Sequence, residues 1–91
     1  MAYGYLGSKE LEISKTENHE VIPTPPNGWT LGFNLYKFSF LNKEMCNVVI
    51  NGDTELLLLP EQGWNMDRGD VPVTSFVVKQ KDINYVWAGA Y

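Results

Sequence analysis

From Phe33 onward apolar and polar side chains alternate with a period of two. Tyr36, Phe38 and Phe40 are separated by Lys37 and Ser39, which places three aromatic rings on one face of a strand. A polar break at Asn42-Lys43-Glu44 follows, and the period then returns with Cys46, Val48 and Ile50. Asn51-Gly52 readily takes the two positive φ values of a tight turn, so the chain is predicted to fold back as a hairpin into 55–59. Leu56, Leu57, Leu58 and Leu59 form a continuous apolar run, the pattern of a strand covered on both faces, with a second subunit as one candidate cover. Pro60 ends it.

Residues 62–72 read as a loop, with Asp67-Arg68-Gly69-Asp70 supplying turn chemistry and Pro72 closing it. Residues 73–80 and 83–90 read as two strands joined by Lys81-Asp82, a terminal hairpin that belongs to the core or to an interface. On its last strand Tyr85, Trp87 and Gly89 face one way, and Asn84, Val86 and Ala88 the other.

The first 32 residues differ in character. Residues 1–7 are rich in Tyr and Gly, 8–20 are polar, and Ile22-Pro23-Thr24-Pro25-Pro26-Asn27-Gly28 is stiff and extended, because proline fixes φ and biases the preceding residue away from helix. This stretch is predicted to be an extended arm. Leu11 with Ile13, and then Val21-Ile22, have the spacing of short edge strands; a helix over 8–16 capped by Ser8 is the less favoured alternative. The expected organisation is an arm over 1–32 and a β-sandwich domain over 33–91. The expected fold class is all-β: a small antiparallel β-sandwich or partly open barrel of six to seven strands, with an extended N-terminal arm.

Ninety-one residues allow one domain with a modest core, so support from a partner or from self-association is expected. Cys46 is the only cysteine and sits in an apolar run, where a buried structural thiol is expected rather than a reactive one. The net charge of −4 and the scattered lysines argue against nucleic-acid binding, which needs a concentrated positive surface. Lys9 and Glu10 stand where a signal peptide needs its apolar stretch, and no apolar run approaches the roughly 20 residues of a membrane span. Synthesis in the cytoplasm, without membrane insertion, is the expectation.

Catalysis is poorly supplied. A Ser-His or Cys-His nucleophile needs an adjacent base and an orienting third group, and His19 is the sole histidine, remote in sequence from Cys46. No catalytic residue, metal site or cofactor is expected. Asp67 and Asp70 read as solvated turn carboxylates rather than calcium ligands, and Arg68-Gly69-Asp70 reads as turn chemistry rather than a receptor-recognition tripeptide.

The aromatic residues are the stronger candidates. Asn27-Gly28-Trp29 and Gln62-Gly63-Trp64 share a Gly-Trp step after an amide residue, either a faint internal repeat or two solutions to one turn problem. Trp29, Trp64, Trp87 and Tyr85 are the candidate ligand or interface aromatics, with plugging of the sandwich ends as the competing role for the tryptophans. Tyr3, Tyr5 and Leu6 offer contact area on a flexible backbone and are the candidate assembly residues of the arm, against the alternative of a frayed terminus.

Val48-Val49-Ile50-Asn51-Gly52, the leucine run 56–59, Gln62-Gly63-Trp64, Ser75-Phe76-Val77-Val78-Lys79 and Ile83-Asn84-Tyr85-Val86-Trp87-Ala88-Gly89-Ala90-Tyr91 together resemble the closing β-domain of small virion structural proteins of tailed bacteriophages. The resemblance covers about the last half of the chain. Its most specific part is a Phe-containing strand, a charged turn and a Tyr-x-Trp-x-Gly strand. It implies a non-catalytic virion component, decorating a capsid, serving the neck or tail, or anchoring a fibre. Its partners would be other virion proteins and copies of itself, and its location the virion. The alternative expectation is a carbohydrate-binding module that stacks a glycan on loop tryptophans, and an enzyme of unknown class stands third.

Overall fold

The period-two pattern is realised as nine short strands and no helix across the described residues of the computed structural model, 4–25, 32–66 and 71–91. In chain order they are β1 (Tyr5–Gly7), β2 (Glu12–Ile13), β3 (His19–Glu20), β4 (Lys37–Asn42), β5 (Cys46–Ile50), β6 (Thr54–Leu58), β7 (Trp64–Asn65), β8 (Phe76–Val78) and β9 (Asn84–Ala90). They form two antiparallel sheets packed face to face. The front sheet runs β1-β9-β4-β7, with β2 also paired to β9, and the back sheet runs β3-β8-β5-β6. This is the expected small β-sandwich, not a closed barrel, with nine strands where six to seven were expected because the N-terminal segment and residues 64–65 add short edge strands.

The core lies between the sheets and is largely aromatic. Strict alternation buries Phe38 and Phe40 from β4, Cys46, Val48 and Ile50 from β5, and Tyr85 and Trp87 from β9. Phe76 from β8 bridges the layers, its ring 4.6 Å from Phe40 and 4.8 Å from Phe38 between centroids, within the range that favours tilted aromatic pairs. The Asn51-Gly52 turn forms as expected: both residues have positive φ, 54° and 74°, and the Ile50 carbonyl accepts the Asp53 N–H.

The terminal pair of strands departs from expectation. β8 and β9 do not form a hairpin; they lie in opposite sheets, and the chain crosses the core edge between them. Residues 79–83 separate the two strands, and at roughly 3.3 Å per residue that length spans the ~10 Å between stacked sheets. Ser14, fully buried, holds the crossing: its carbonyl accepts the Asp82 N–H at 2.7 Å, and its hydroxyl donates to the Gln80 carbonyl and accepts from the Ile83 N–H, each at 2.8 Å.

Residues 4–22 are extended, but they are laid into the sandwich rather than held apart as an arm. β1 pairs with β9 in the register Tyr5↔Ala90, and β2 pairs along the same edge through Glu12↔Tyr85. β3 crosses to pair with β8, and Val21 and Ile22 enter the core. The leucine run also differs from its expected two-sided burial. β6 is an edge strand on which Leu58 is 2% exposed while Leu57 is 54% exposed, and Leu59, just beyond its end, is 55% exposed.

Candidate functional site

On the outer face of the front sheet, small side chains create a depression. β9 turns Ala88 outward between Ser39 of the neighbouring β4 and Gly7 of β1. Gly7 permits the close approach of β1, since a Cβ there would stand 2.7 Å from the Trp87 carbonyl oxygen. One extra residue then shapes one wall. The Tyr36 N–H donates to the Ala90 carbonyl at 2.8 Å, while Lys37 is the register partner of the same Ala90, so two residues oppose one. This bulge-like irregularity shifts the alternation: Leu35 points into the core and Tyr36, expected on the face of Phe38 and Phe40, is turned to solvent at 46% exposure.

Tyr5 and Tyr36 therefore flank Ala90 from opposite sides of β9, about two strand spacings or roughly 10 Å apart along the sheet. Tyr5 is the most exposed large hydrophobic side chain among the described residues, at 83%. The opposite wall is Asn65 and Met66, held beside β4 by the Met66 N–H donating to the Phe38 carbonyl at 3.0 Å. The resulting open groove has a volume of about 1000 Å³. Among the described residues Lys37 is the one charged residue lining it, and its ammonium has no ion-pair partner among them. Arranged this way, the groove can bind by aromatic contact and hydrogen bonding, with the Lys37 ammonium to orient an acidic or hydroxylated group.

Of the candidate assembly residues, Tyr5 and Leu6 are brought together here, Leu6 packing on the core and Tyr5 facing out. Tyr3 lies outside the described residues, as do Trp29 and the Asp67-Arg68-Gly69-Asp70 turn. Trp87 and Tyr85 are 7% and 1% exposed, so they offer no face to a ligand. Trp64 is half-buried, with its ring centroid 5.9 Å from Phe76 and 6.1 Å from Phe38, so it packs on the core from the edge strand β7 while also lining a second open cavity with Leu56 and Val73. Tyr36 and Lys37 are the groove residues that strand alternation missed. Nothing in a single pass of periodicity marks a bulge, and Lys37 reads there as an ordinary solvated strand position.

The titratable groups elsewhere serve the fold. His19 Nε2 and the Tyr85 hydroxyl are hydrogen-bonded at 2.9 Å, and burial, with Glu12 adding to it, pushes the Tyr85 phenol up to about 12. Burial also lifts the Cys46 thiol to about 11, with the Glu44 carboxylate contributing, so the thiolate is disfavoured at neutral pH. Glu20 accepts from the Ser75 hydroxyl at 2.6 Å and from the Phe76 N–H at 2.8 Å, tying β3 to β8. Among the described residues no cluster of three His, Cys, Asp or Glu side chains is placed to hold a metal ion. Comparison with protein-family models, curated proteins and solved structures finds no match for this chain.

Proposed function

We propose that this chain is a non-catalytic structural component of a bacteriophage particle that acts by protein–protein assembly. The groove of the front sheet is its docking face. The observation that carries this reading is the pair of exposed tyrosines, Tyr5 and Tyr36, standing either side of an open floor of small residues. Exposed aromatic side chains beside a groove are the features that anchor protein partners, because each covers a large area at small entropic cost. The sequence resemblance to small virion proteins supplies the particle as the setting. The test is co-sedimentation of the purified protein with assembled particles. Wild type is expected to pellet with them, whereas Ala88→Arg, which fills the groove without entering the core, stays in the supernatant with its melting temperature kept. Failure of the wild-type protein to associate with particles, or undiminished association of Ala88→Arg, overturns the proposal.

A second reading, glycan binding, is favoured by the same rim: tyrosine rings stack on sugar faces, and Lys37, Ser39 and Asn65 offer hydrogen-bonding groups beside them. It differs from the sequence-based expectation in using tyrosines rather than tryptophans. Glycan-array binding lost on Tyr36→Ala, with the fold kept, supports it; an array with no signal for the wild-type protein excludes it.

A further inference from the structure

The sandwich protects its sheet edges unequally. β2, β3 and β7 are two residues long and β1 is three, and brevity of this kind blunts an edge against pairing with another chain. β6 is five residues long, lies at the open edge of the back sheet, and carries neither proline nor lysine.

The hydrogen-bond parity of the back sheet identifies which groups this edge presents. The Lys79 N–H donates to the Asn47 carbonyl and the Asn51 N–H to the Ser75 carbonyl, so the odd-numbered residues of β5 point their main-chain groups at β8. The even-numbered residues Cys46, Val48 and Ile50 consequently bond to their register partners Leu58, Leu56 and Thr54 on β6. Glu55 and Leu57 are left with N–H and C=O directed away from the sheet, and they have no main-chain partner among the described residues. Leu59, next in parity, is already closed: its N–H donates to Gln62 Oε1 at 2.8 Å, and its carbonyl accepts from Asn42 Nδ2 at 2.8 Å and from the Gln62 N–H at 3.0 Å.

Two open residues placed symmetrically about Leu56 are self-complementary under a two-fold axis. We infer that β6 is a self-association edge, at which a second copy of this chain adds its own β6 antiparallel in a register centred on Leu56. Glu55 of one copy then lies opposite Leu57 of the other, and the reverse, giving four main-chain hydrogen bonds and one continuous eight-stranded back sheet. Leu56 meets Leu56 across the axis on the inner side. On the outer side the two copies of Leu57 become diagonal neighbours, about 7–8 Å apart and within reach of each other. The charge pattern permits the contact, because Lys79 Nζ lies 3.1 Å from Glu55 Oε1 and offsets the acidic side chain nearest the axis. A register centred on Leu57 would oppose Glu55 to Leu59, whose main-chain groups are occupied, and so forfeits bonds.

The inference rests on the assembly reading, and it names a second copy as one partner and β6 as the place. So short a ladder is weak alone and strengthens when copies are arrayed on a particle. It is tested by sedimentation velocity together with residue-resolved amide exchange, from about 20 μM to about 1 mM, the range appropriate to a small transient interface. The expected result is a concentration-dependent dimer in which the Glu55 and Leu57 amides slow at least about tenfold over that range, while the amides of β1 and β3 do not change. Glu55→Pro removes the outward N–H together with the carboxylate that Lys79 pairs with, and is expected to abolish the dimer; Leu57→Lys, which keeps every main-chain group and the Glu55–Lys79 pair, is expected to weaken it at least about tenfold. A monomer throughout the range overturns the inference, as does a dimer in which those two amides exchange unchanged. Either result leaves particle co-sedimentation untouched, so failure here is distinguishable from failure of the assembly reading.

Discussion

Replacing Asn42 by alanine removes a side chain that is fully buried at the end of β4 and ties down two stretches of backbone, the turn before β5 and the connection from β6 to β7. Its Nδ2 donates to the carbonyls of Glu44 and Leu59, each at 2.8 Å, and its Oδ1 accepts from the Gly63 N–H at 2.9 Å. The three losses are unequal. The Leu59 carbonyl keeps the Gln62 N–H at 3.0 Å, whereas the Gly63 N–H and the Glu44 carbonyl each lose the partner that Asn42 supplied. A buried polar group left unpaired costs about 1–3 kcal/mol, so two such groups, partly relieved by entering water, give an expected loss of about 2–4 kcal/mol. In a domain of this size each kcal/mol lowers the melting temperature by roughly 4–8 °C, which puts the expected drop at about 8–32 °C. Urea unfolding followed by tryptophan fluorescence, alongside thermal circular dichroism, measures both quantities. Asn42→Asp is expected to be at least as damaging, because it presents a carboxylate oxygen to two carbonyls and buries a charge. Asn65→Ala, on an exposed position of β7, is expected to change stability by less than about 0.5 kcal/mol. An Asn42→Ala loss below about 1 kcal/mol would refute the reasoning, since it would mean that the two loops hold themselves in place.

Further outcomes follow from the same geometry. Gly63→Ala is expected to destabilise by about 2 kcal/mol or more, because φ there is +70° and the added Cβ would stand 2.7 Å from the Phe40 carbonyl oxygen; chemical denaturation checks it. The fold favours the neutral forms of Cys46 and Tyr85, raised from 9.0 to about 11 and from 10.0 to about 12. Their contribution is therefore fully present below pH 9 and is lost as pH rises through the window from about 9 to 12. Tyr85→Phe should flatten the upper part of that decline in a pH series of urea midpoints, and an unchanged slope between pH 10 and 12 counts against the assignment. Cys46, 1% exposed, should react with a thiol reagent at pH 8 only as fast as the protein opens, so the rate rises in step with added urea.

The period-two alternation in Phe38-Ser39-Phe40, in Cys46-Asn47-Val48-Val49-Ile50 and along β9 was sufficient to identify the strands and to sort their side chains into two faces, because successive side chains of a pleated strand point to opposite sides whatever it pairs with; that Tyr85 and Trp87 are buried rather than offered to a ligand was decided by the packing of the sheets. Asn51-Gly52 identified one hairpin for an equally local reason, the ease with which those two residues take positive φ. Pairing at longer range was decided by the tertiary structure. Lys81-Asp82 is compatible with either a hairpin or a crossing, and the choice was made by Ser14, 66 residues from Gln80, whose hydrogen bonds hold the crossing between the sheets. The leucine run is a strand in either environment; that β6 lies at an edge, with Leu57 and Leu59 outside, depends on β8 already occupying the other side of β5. The groove shows the same division. Its small floor and its tyrosines are written in the chain, but the extra residue opposite Ala90 that turns Tyr36 outward exists only once β4 and β9 are in register. Local sterics thus determined which residues form strands and which side chains share a face, whereas hydrogen bonds and packing between distant segments decided which strands meet, which faces are buried and which side chains are left for a partner.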